Sequence, residues 1–209
     1  MKTTCIGAGR LVLPNPGVAE AHGWEHGLPL EAKVRIDLSA LGPPGTIAEV
    51  GRLCVLERWR AKTAALPELC VAMCLESRRH GITHWISAAN LECDSEDEAI
   101  LVHEVIRRRG LMRSDIPVWL KVAEGPSSPP RFRFYTDEER GRARDDSLSR
   151  LRLPRAVSAD ARLGARYIGE PIWDEHFGMF AQPLIAAVQD VMTAAERYLR
   201  ALERAPSRS

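Results

Sequence analysis

The sequence predicts a mixed α/β fold in which helices cover a central sheet. Apolar runs bounded by glycine, proline or asparagine, which are typical of strands, alternate with segments whose apolar residues recur at helical spacing. Their order is strand, strand, helix, strand, helix, strand, strand, which favours a layered architecture over an all-helical or all-strand one. The chain has 209 residues, 45% of them hydrophobic. This suffices for one substantial core, so we expect a single domain over 1–209.

The first half of the chain contains the clearest elements. Residues 5–13 form an apolar run that ends in a Pro-Asn-Pro-Gly turn, which predicts a strand. A polar stretch extends to Gly45, and residues 47–56, IAEVGRLCVL, predict a second strand. A helix follows, because apolar residues recur at helical spacing between Pro67, which suits a first turn, and Gly81, which suits a C-terminal cap.

The middle of the chain alternates in the same way. Residues 83–90 predict a buried strand. Ser95 and Glu98 form a capping-box pattern for a helix that ends near Gly110. A further strand is expected at 116–122.

A polar, proline-rich and charged stretch then occupies about 124–160. Such a stretch inside a compact domain predicts an insertion or a mobile loop. After it, residues 164–173 indicate a strand. Residues 183–204 begin as strand or helix and end as an amphipathic helix.

Charge and composition exclude several classes of protein. The 29 Lys and Arg residues nearly cancel the 28 Asp and Glu residues, so no overall field favours nucleic acid or a membrane surface. No apolar run reaches the roughly 20 residues that span a bilayer, and the N-terminus lacks an apolar signal region. The five cysteines, an odd number in apolar segments, favour reduced core thiols. We therefore expect a soluble, cytoplasmic protein with no integral membrane segment.

Three short motifs are more simply explained by structure than by chemistry. IGAGR resembles a dinucleotide-binding loop, but Val12 stands where the third glycine belongs and no helix is predicted to follow. His22 and His26 are flanked by glycines that disfavour a helix, and no third metal ligand is apparent. Cys70 and Cys74 lie one helical turn apart among apolar neighbours, which favours core packing. We expect no metal site and no tightly bound cofactor.

Two charged residues interrupt the strand at 47–56. An unpaired buried charge costs several kcal/mol, so Glu49 and Arg52 are either paired or kept for chemistry. Side chains alternate in a regular strand, but a β-bulge near Gly51 would turn both toward one site and release backbone N–H groups. A carboxylate beside such amides suits acyl transfer, because it supplies a base for an amine and donors for an oxyanion. A structural ion pair is the alternative.

The strand IAEVGRLCV resembles the E-x-x-R-[FL]-x-V strand of acyl-homoserine lactone synthases and long-chain N-acyl amino acid synthases, members of the Gcn5-related N-acetyltransferase superfamily. GAGRLVLP resembles their preceding strand and aligns Arg10 with the substrate-site arginine of these families. HGITHWISAAN resembles their next helix-to-strand junction. LGARYIGEPIWDEHFG resembles a C-terminal strand segment of related ornithine acyltransferases. In this order, the motifs cover most of the chain from Cys5 to about Val191.

The resemblance implies a Gcn5-related fold with a mixed, mostly antiparallel sheet. It implies an N-acyltransferase that moves a fatty acyl group from a carrier thioester to the amine of an amino acid or similar small molecule. Glu49 would polarise or deprotonate the amine, and Arg52 and Arg10 would hold a carboxylate or orient Glu49. The backbone N–H groups near Cys54 and Val55 would donate hydrogen bonds to the oxyanion of the transfer step.

The expected acyl donor is an acyl carrier protein, with acyl-coenzyme A as the alternative. Ordinary acetyltransferases bind the coenzyme A pyrophosphate on a glycine-rich loop after this strand, whereas the segment here, ERWRAKTAALPEL, contains no glycine. Arg58, Arg60 and Lys62 could instead bind an acidic carrier protein. The arginines at 78–79 and 107–109 could extend that basic surface, and solvated helix ends are the alternative for all these charges.

Two rival functions stay open. One is an acyl-homoserine lactone synthase that makes quorum-sensing autoinducers from S-adenosylmethionine. The other is a degenerate, non-catalytic acyl-binding or interaction module. The sequence starts almost at Arg10, so the strand and helices that precede it in these families are expected to be missing. The strand at 5–13 should then be an exposed edge, which a homodimer could cover.

Overall fold

The fold alternates strands and helices, and a computed structural model describes it for residues 4–60, 64–121, 125, 129–143 and 148–204. The strands are β1 (Gly7–Val12), β2 (Val34–Ile36), β3 (Ile47–Val55), β4 (His84–Asn90), β5 (Val118–Leu120), β6 (Arg166–Tyr167), β7 (Ile172–Asp174) and β8 (Met179–Ala187). The α-helices are α1 (Pro16–His22), α2 (Glu57–Arg60), α3 (Ala65–Arg79), α4 (Glu96–Arg108), α5 (Asp137–Ala143), α6 (Arg155–Arg162) and α7 (Val188–Arg204). Short 3-10 helices lie at Pro29–Ala32, Ser39–Leu41 and Leu148–Arg150.

The central sheet is mixed and mostly antiparallel. Its strand order is β1-β3-β4-β8-β6, and β7 also pairs with β8. β1 is antiparallel to β3, and both β6 and β7 are antiparallel to β8, whereas β3 and β4 are parallel. The parallel step is connected through α2 and α3, since a parallel pair needs a long crossover. The α/β class with a mixed sheet and flanking helices is therefore confirmed, and β1 lies at an edge as expected.

The chain divides into two compact units, each assembled from separated segments. The first unit comprises Met1–Leu28, Leu41–Ile86 and Ala186–Ser209. The second comprises Pro29–Ala40 and Ser87–Ile185.

In the first unit, α3 packs against both β1 and α7. The approach to β1 is close, because a Cβ atom at Gly9 would lie only 2.7 Å from the sulfur of Met73. At the other end of α3, the Trp85 indole N–H donates to the Ser77 hydroxyl at 2.8 Å. The glycines of the IGAGR motif thus serve packing of a strand on a helix, and the motif continues as strand β1 where a dinucleotide-binding loop would open a helix, as the sequence indicated.

The described parts of the stretch at 124–160 contain regular structure. They include α5, a 3-10 helix and the start of α6, whereas residues 124, 126–128 and 144–147 lie outside the description. The Asp94 carboxylate accepts hydrogen bonds from the backbone N–H groups of Arg131 and Phe132, at 2.8 and 2.9 Å. These bonds anchor this part of the stretch to the residues that precede α4.

The element order predicted from the sequence is wrong for the polar stretch up to Gly45, since it places no helix or strand there. α1 begins at Pro16, and the Asn15 side chain caps it by accepting from the N–H groups of Gly17 and Val18. β2 then pairs with β5 in a separate two-stranded sheet. The turn signal after 5–13 was therefore also a helix start, because asparagine followed by proline suits the cap and first position of a helix.

The capping box at Ser95 and Glu98 is also wrong, although α4 begins where it predicts. The Ser95 side chain makes no capping hydrogen bond. Glu98 is fully buried, accepts the backbone N–H of Tyr135 at 2.6 Å and forms an ion pair with Arg140. Partners far along the sequence therefore bind the carboxylate that the local pattern assigned to the N-terminal cap of α4.

Two further expectations need correction. Residues 164–173 form two short strands, β6 and β7, because the chain turns at Gly169, which has a φ of +56°. The cysteines are all free, but they are not all core thiols, since Cys5 and Cys54 are exposed whereas Cys70, Cys74 and Cys93 are buried.

Among the described residues, no helix combines the length and the apolar character that crossing a bilayer demands.

Candidate functional site

The centre of β3 carries the β-bulge that its sequence predicts. Gly7 and Ala8 of β1 lie opposite Val55 and Cys54, whereas Arg10 lies opposite Gly51. One residue of β1, Gly9, therefore faces two residues of β3, Arg52 and Leu53. An extra residue of this kind bends the strand and changes the direction of the side chains around it.

The unusual backbone conformation of the bulge belongs to Arg52. Its φ is +52°, in the left-handed region, whereas Gly51 is not among the residues of positive φ. The sequence predicted the bulge near Gly51 and assigned the backbone freedom to that glycine, so the location is confirmed to within one residue and the responsible residue is corrected. A non-glycine residue in this conformation is strained by roughly 1–2 kcal/mol, and such strain is concentrated at functional sites.

Glu49 and Arg10 form an ion pair beside the bulge. Arg10 Nη2 lies 3.5 Å from Glu49 Oε1, and the exposed fractions of the two side chains are 44% and 11% respectively. Arg10 is directly opposite Gly51, two residues along β3 from Glu49, so the pair is diagonal on one face of the sheet. Because Arg10 is half exposed, solvent screening limits the contribution of this pair to stability to about 1 kcal/mol.

Gly51 lies beside this pair. A Cβ atom at position 51 would make an ordinary van der Waals contact, at 3.7 Å, with Arg10 Nη2.

Glu49 is also the last residue of the parallel ladder between β3 and β4. The paired residues are Ile47 with His84, Ala48 with Trp85, and Glu49 with Ile86. Beyond this point, β3 continues to Val55 along β1. The carboxylate thus lies where the pairing of β3 changes, immediately before the bulge.

The remaining predicted site residues lie at and beyond the bulge. The Arg52 and Cys54 side chains are exposed, and Val55 is buried. The backbone N–H of Leu56 donates to Ile6 of the N-terminal segment at 2.9 Å. Since donors alternate sides along an antiparallel strand, the Cys54 amide faces β1 and the Val55 amide faces the opposite side.

Of the residues predicted to bind a carrier protein, Arg58 is exposed on α2. Arg60 ends that helix, and Lys62 lies outside the described residues. The arginines expected to extend this surface have other partners. Arg79 pairs with Glu76 on its own helix, and Arg107 and Arg108 pair with Glu104 on theirs.

The geometry offers a largely buried carboxylate, a guanidinium that holds it and a bulged backbone, all within the first unit. Across the described part of the chain, no group of three or more His, Cys, Asp or Glu side chains is arranged to hold a metal ion. No protein-family model matches the chain, and no solved structure matches it.

Proposed function

We propose that this protein is an N-acyltransferase of the Gcn5-related fold that transfers a fatty acyl group from a carrier thioester to the amine of an amino acid or similar small molecule. The observation that carries the proposal is the Glu49–Arg10 pair beside the bulge of β3. It combines a positioned base with an irregular backbone, the two elements that the sequence resemblance assigns to the transfer step.

Glu49 acts as the general base in this proposal. Its carboxylate takes a proton from the ammonium or amine of the acceptor, and the amine nitrogen then attacks the thioester carbon. A C–N bond forms, the C–S bond breaks through a tetrahedral oxyanion, and the carrier thiolate leaves and is protonated. The backbone N–H of Val55, which faces away from β1, is the proposed oxyanion donor, whereas the N–H of Cys54 faces β1 and does not serve this role.

Arg10 is a positioning residue in this proposal. Its guanidinium lies 3.5 Å from the Glu49 carboxylate and orients it. Because the Arg10 side chain is 44% exposed, its remaining N–H groups are accessible to a carboxylate of the acceptor. Arg52, at the bulge, is the second candidate for that contact.

An acyl carrier protein is the proposed donor. The N-terminal end of α3 lies within the glycine-free segment, and its cap residue Ala64 makes no side-chain capping bond. The exposed Arg58 on α2 supplies positive charge in the adjacent stretch of chain. An acidic carrier protein would be attracted by such charge, whereas a pyrophosphate requires a cradle of backbone N–H groups.

The test is an assay of the purified chain with acylated carrier protein or acyl-coenzyme A as donor and a mixture of amino acids as acceptor. Release of the donor thiol and mass spectrometry of the product are measured together. Glu49→Gln should lower kcat by roughly 10²–10⁴-fold, the usual contribution of a positioned base, and should unfold at nearly the same urea concentration.

The matched control is Glu104→Gln, which removes the carboxylate of an ion-paired glutamate on α4, in the second unit. Its turnover should equal that of the unmodified protein. Unchanged turnover in the Glu49→Gln protein would contradict the proposal. A lactone product that depends on S-adenosylmethionine would favour the autoinducer synthase, and no product with either donor would favour a non-catalytic module.

A further inference from the structure

A surface pocket in the second unit is lined by two arginines for which the described residues provide no acidic partner. Arg109 and Arg162 contribute the charge, and the pocket volume is about 480 Å³. Ser149 and Ser158 also line it, and Leu111 and Leu153 form an apolar wall. Neither an aspartate nor a glutamate is among the residues that line this pocket.

The Arg109 guanidinium is held in place by backbone oxygens. Its Nε donates to the Ser149 carbonyl at 3.0 Å, and its Nη2 donates to the Leu151 carbonyl. These two bonds use one edge of the planar group. A guanidinium has five N–H donors in a fixed fork, so the other edge stays available to a ligand in a fixed orientation.

The second arginine is oriented in a similar way. Arg162 is the last residue of α6, and its Nε donates to the Ser158 carbonyl one turn earlier, at 3.1 Å. The bond holds the side chain along its own helix and leaves both Nη groups for other acceptors. Two cations that line one pocket repel each other, which disfavours the empty site and favours an anion between them.

The neighbouring arginines show how unusual this lack of acidic partners is. Arg107 and Arg108, which directly precede Arg109, both pair with Glu104, and Arg113 pairs with Asp115. Within the ranges that the structure describes, no salt bridge involves Arg109 or Arg162. Carbonyl oxygens position these two guanidinium groups without neutralising them.

We propose that this pocket binds the phosphate group of a small phosphate monoester whose organic part lies on the apolar wall. A phosphate monoester carries a charge of about −1.5 to −2 near neutral pH, which two guanidinium groups can balance through charge-assisted, bidentate hydrogen bonds. The serine hydroxyls supply additional donors. Leu111 and Leu153 favour an apolar substituent over a bare ion.

The experiment uses phenyl phosphate, inorganic phosphate and benzoate as probes, each titrated into the full chain at constant ionic strength and followed by calorimetry. Phenyl phosphate should bind saturably with one site, and more tightly than either of the others. Arg162→Gln should weaken this binding by about ten-fold or more, since one of two charge-assisted contacts is lost. Arg109→Gln should weaken it by at least as much.

The controls are Arg150→Gln and Arg155→Gln, which change the net charge equally but do not line the pocket. Both should bind phenyl phosphate as the unmodified protein does. Because Arg109 also anchors backbone carbonyls, Arg162→Gln is the decisive variant and its unfolding midpoint is measured in parallel. Absence of saturable binding, or an equal loss of affinity in the Arg150→Gln protein, would overturn the proposal. Tighter binding of benzoate would reassign the pocket to carboxylates and overturn the phosphate proposal.

Discussion

The left-handed conformation of Arg52 predicts that glycine is more stabilising than alanine at this position. Arg52→Gly and Arg52→Ala both remove the side chain and its contacts, so their difference reports the backbone alone. A Cβ atom in the left-handed region costs roughly 1–2 kcal/mol, and the extra freedom of glycine in the unfolded chain offsets about 0.5–1 kcal/mol of that. With φ at +52°, Arg52→Gly should be more stable than Arg52→Ala by roughly 0.5–1 kcal/mol.

Val50, on the same strand and not among the residues of positive φ, provides the matched control. There the order should reverse, and Val50→Gly should be less stable than Val50→Ala by about 0.5–1 kcal/mol. Urea unfolding of the four variants at one temperature gives both differences. If alanine and glycine rank in the same order at positions 50 and 52, the bulge does not carry the strain that the reasoning assigns to Arg52.

Two further predictions concern a glycine turn and a buried acid. Gly27→Ala should destabilise by about 3 kcal/mol or more, because its Cβ would overlap the backbone oxygen of Asn15, whereas Gly23→Ala, at a similar φ but with open space, should cost about 1 kcal/mol. Thermal unfolding separates them, and equal losses would contradict the packing argument. Burial raises the pKa of Asp160 from 3.8 to about 7, so the folded protein retains this proton while the unfolded chain loses it. Stability should therefore fall as pH rises from about 4 to 7, by less than about 4 kcal/mol since the residue keeps some exposure. Asp160→Asn should flatten that part of the urea-midpoint profile, and an unchanged profile would contradict the shift.

Local patterns predicted three elements closely. β3, β4 and α3 lie within one or two residues of their predicted bounds, because each combines a clear apolar period with turn or cap residues at its ends. α1 was missed although its signal was present, since Asn15 and Pro16 were interpreted as the end of a strand. Glu98 was misassigned because its partners, Tyr135 and Arg140, lie far along the sequence, where no local pattern can reveal them.

The candidate site was predictable in composition but not in geometry. The charges in β3 drew attention to Glu49 and Arg52, and the bulge was expected between them. Which arginine pairs with Glu49 depends on the register of β1 against β3, and that register is set by the bulge itself. Arg109 and Arg162 were not predicted as a pair, because their shared pocket arises from a helix terminus and a later helix that only the fold brings together.

The segmented first unit has a consequence for synthesis on the ribosome. Its strands β1 and β3 and helix α3 emerge early, but the unit also contains Ala186–Ser209, including α7, which packs on α3. About 100 residues separate Ile86 from Ala186, which at about 5–20 residues per second corresponds to roughly 5–20 s of translation. During that interval the face of α3 that receives α7, including the thiol of Cys74 that will donate to Val188, has no native cover. The face of α3 that packs against α7 therefore stays uncovered until α7 has been made.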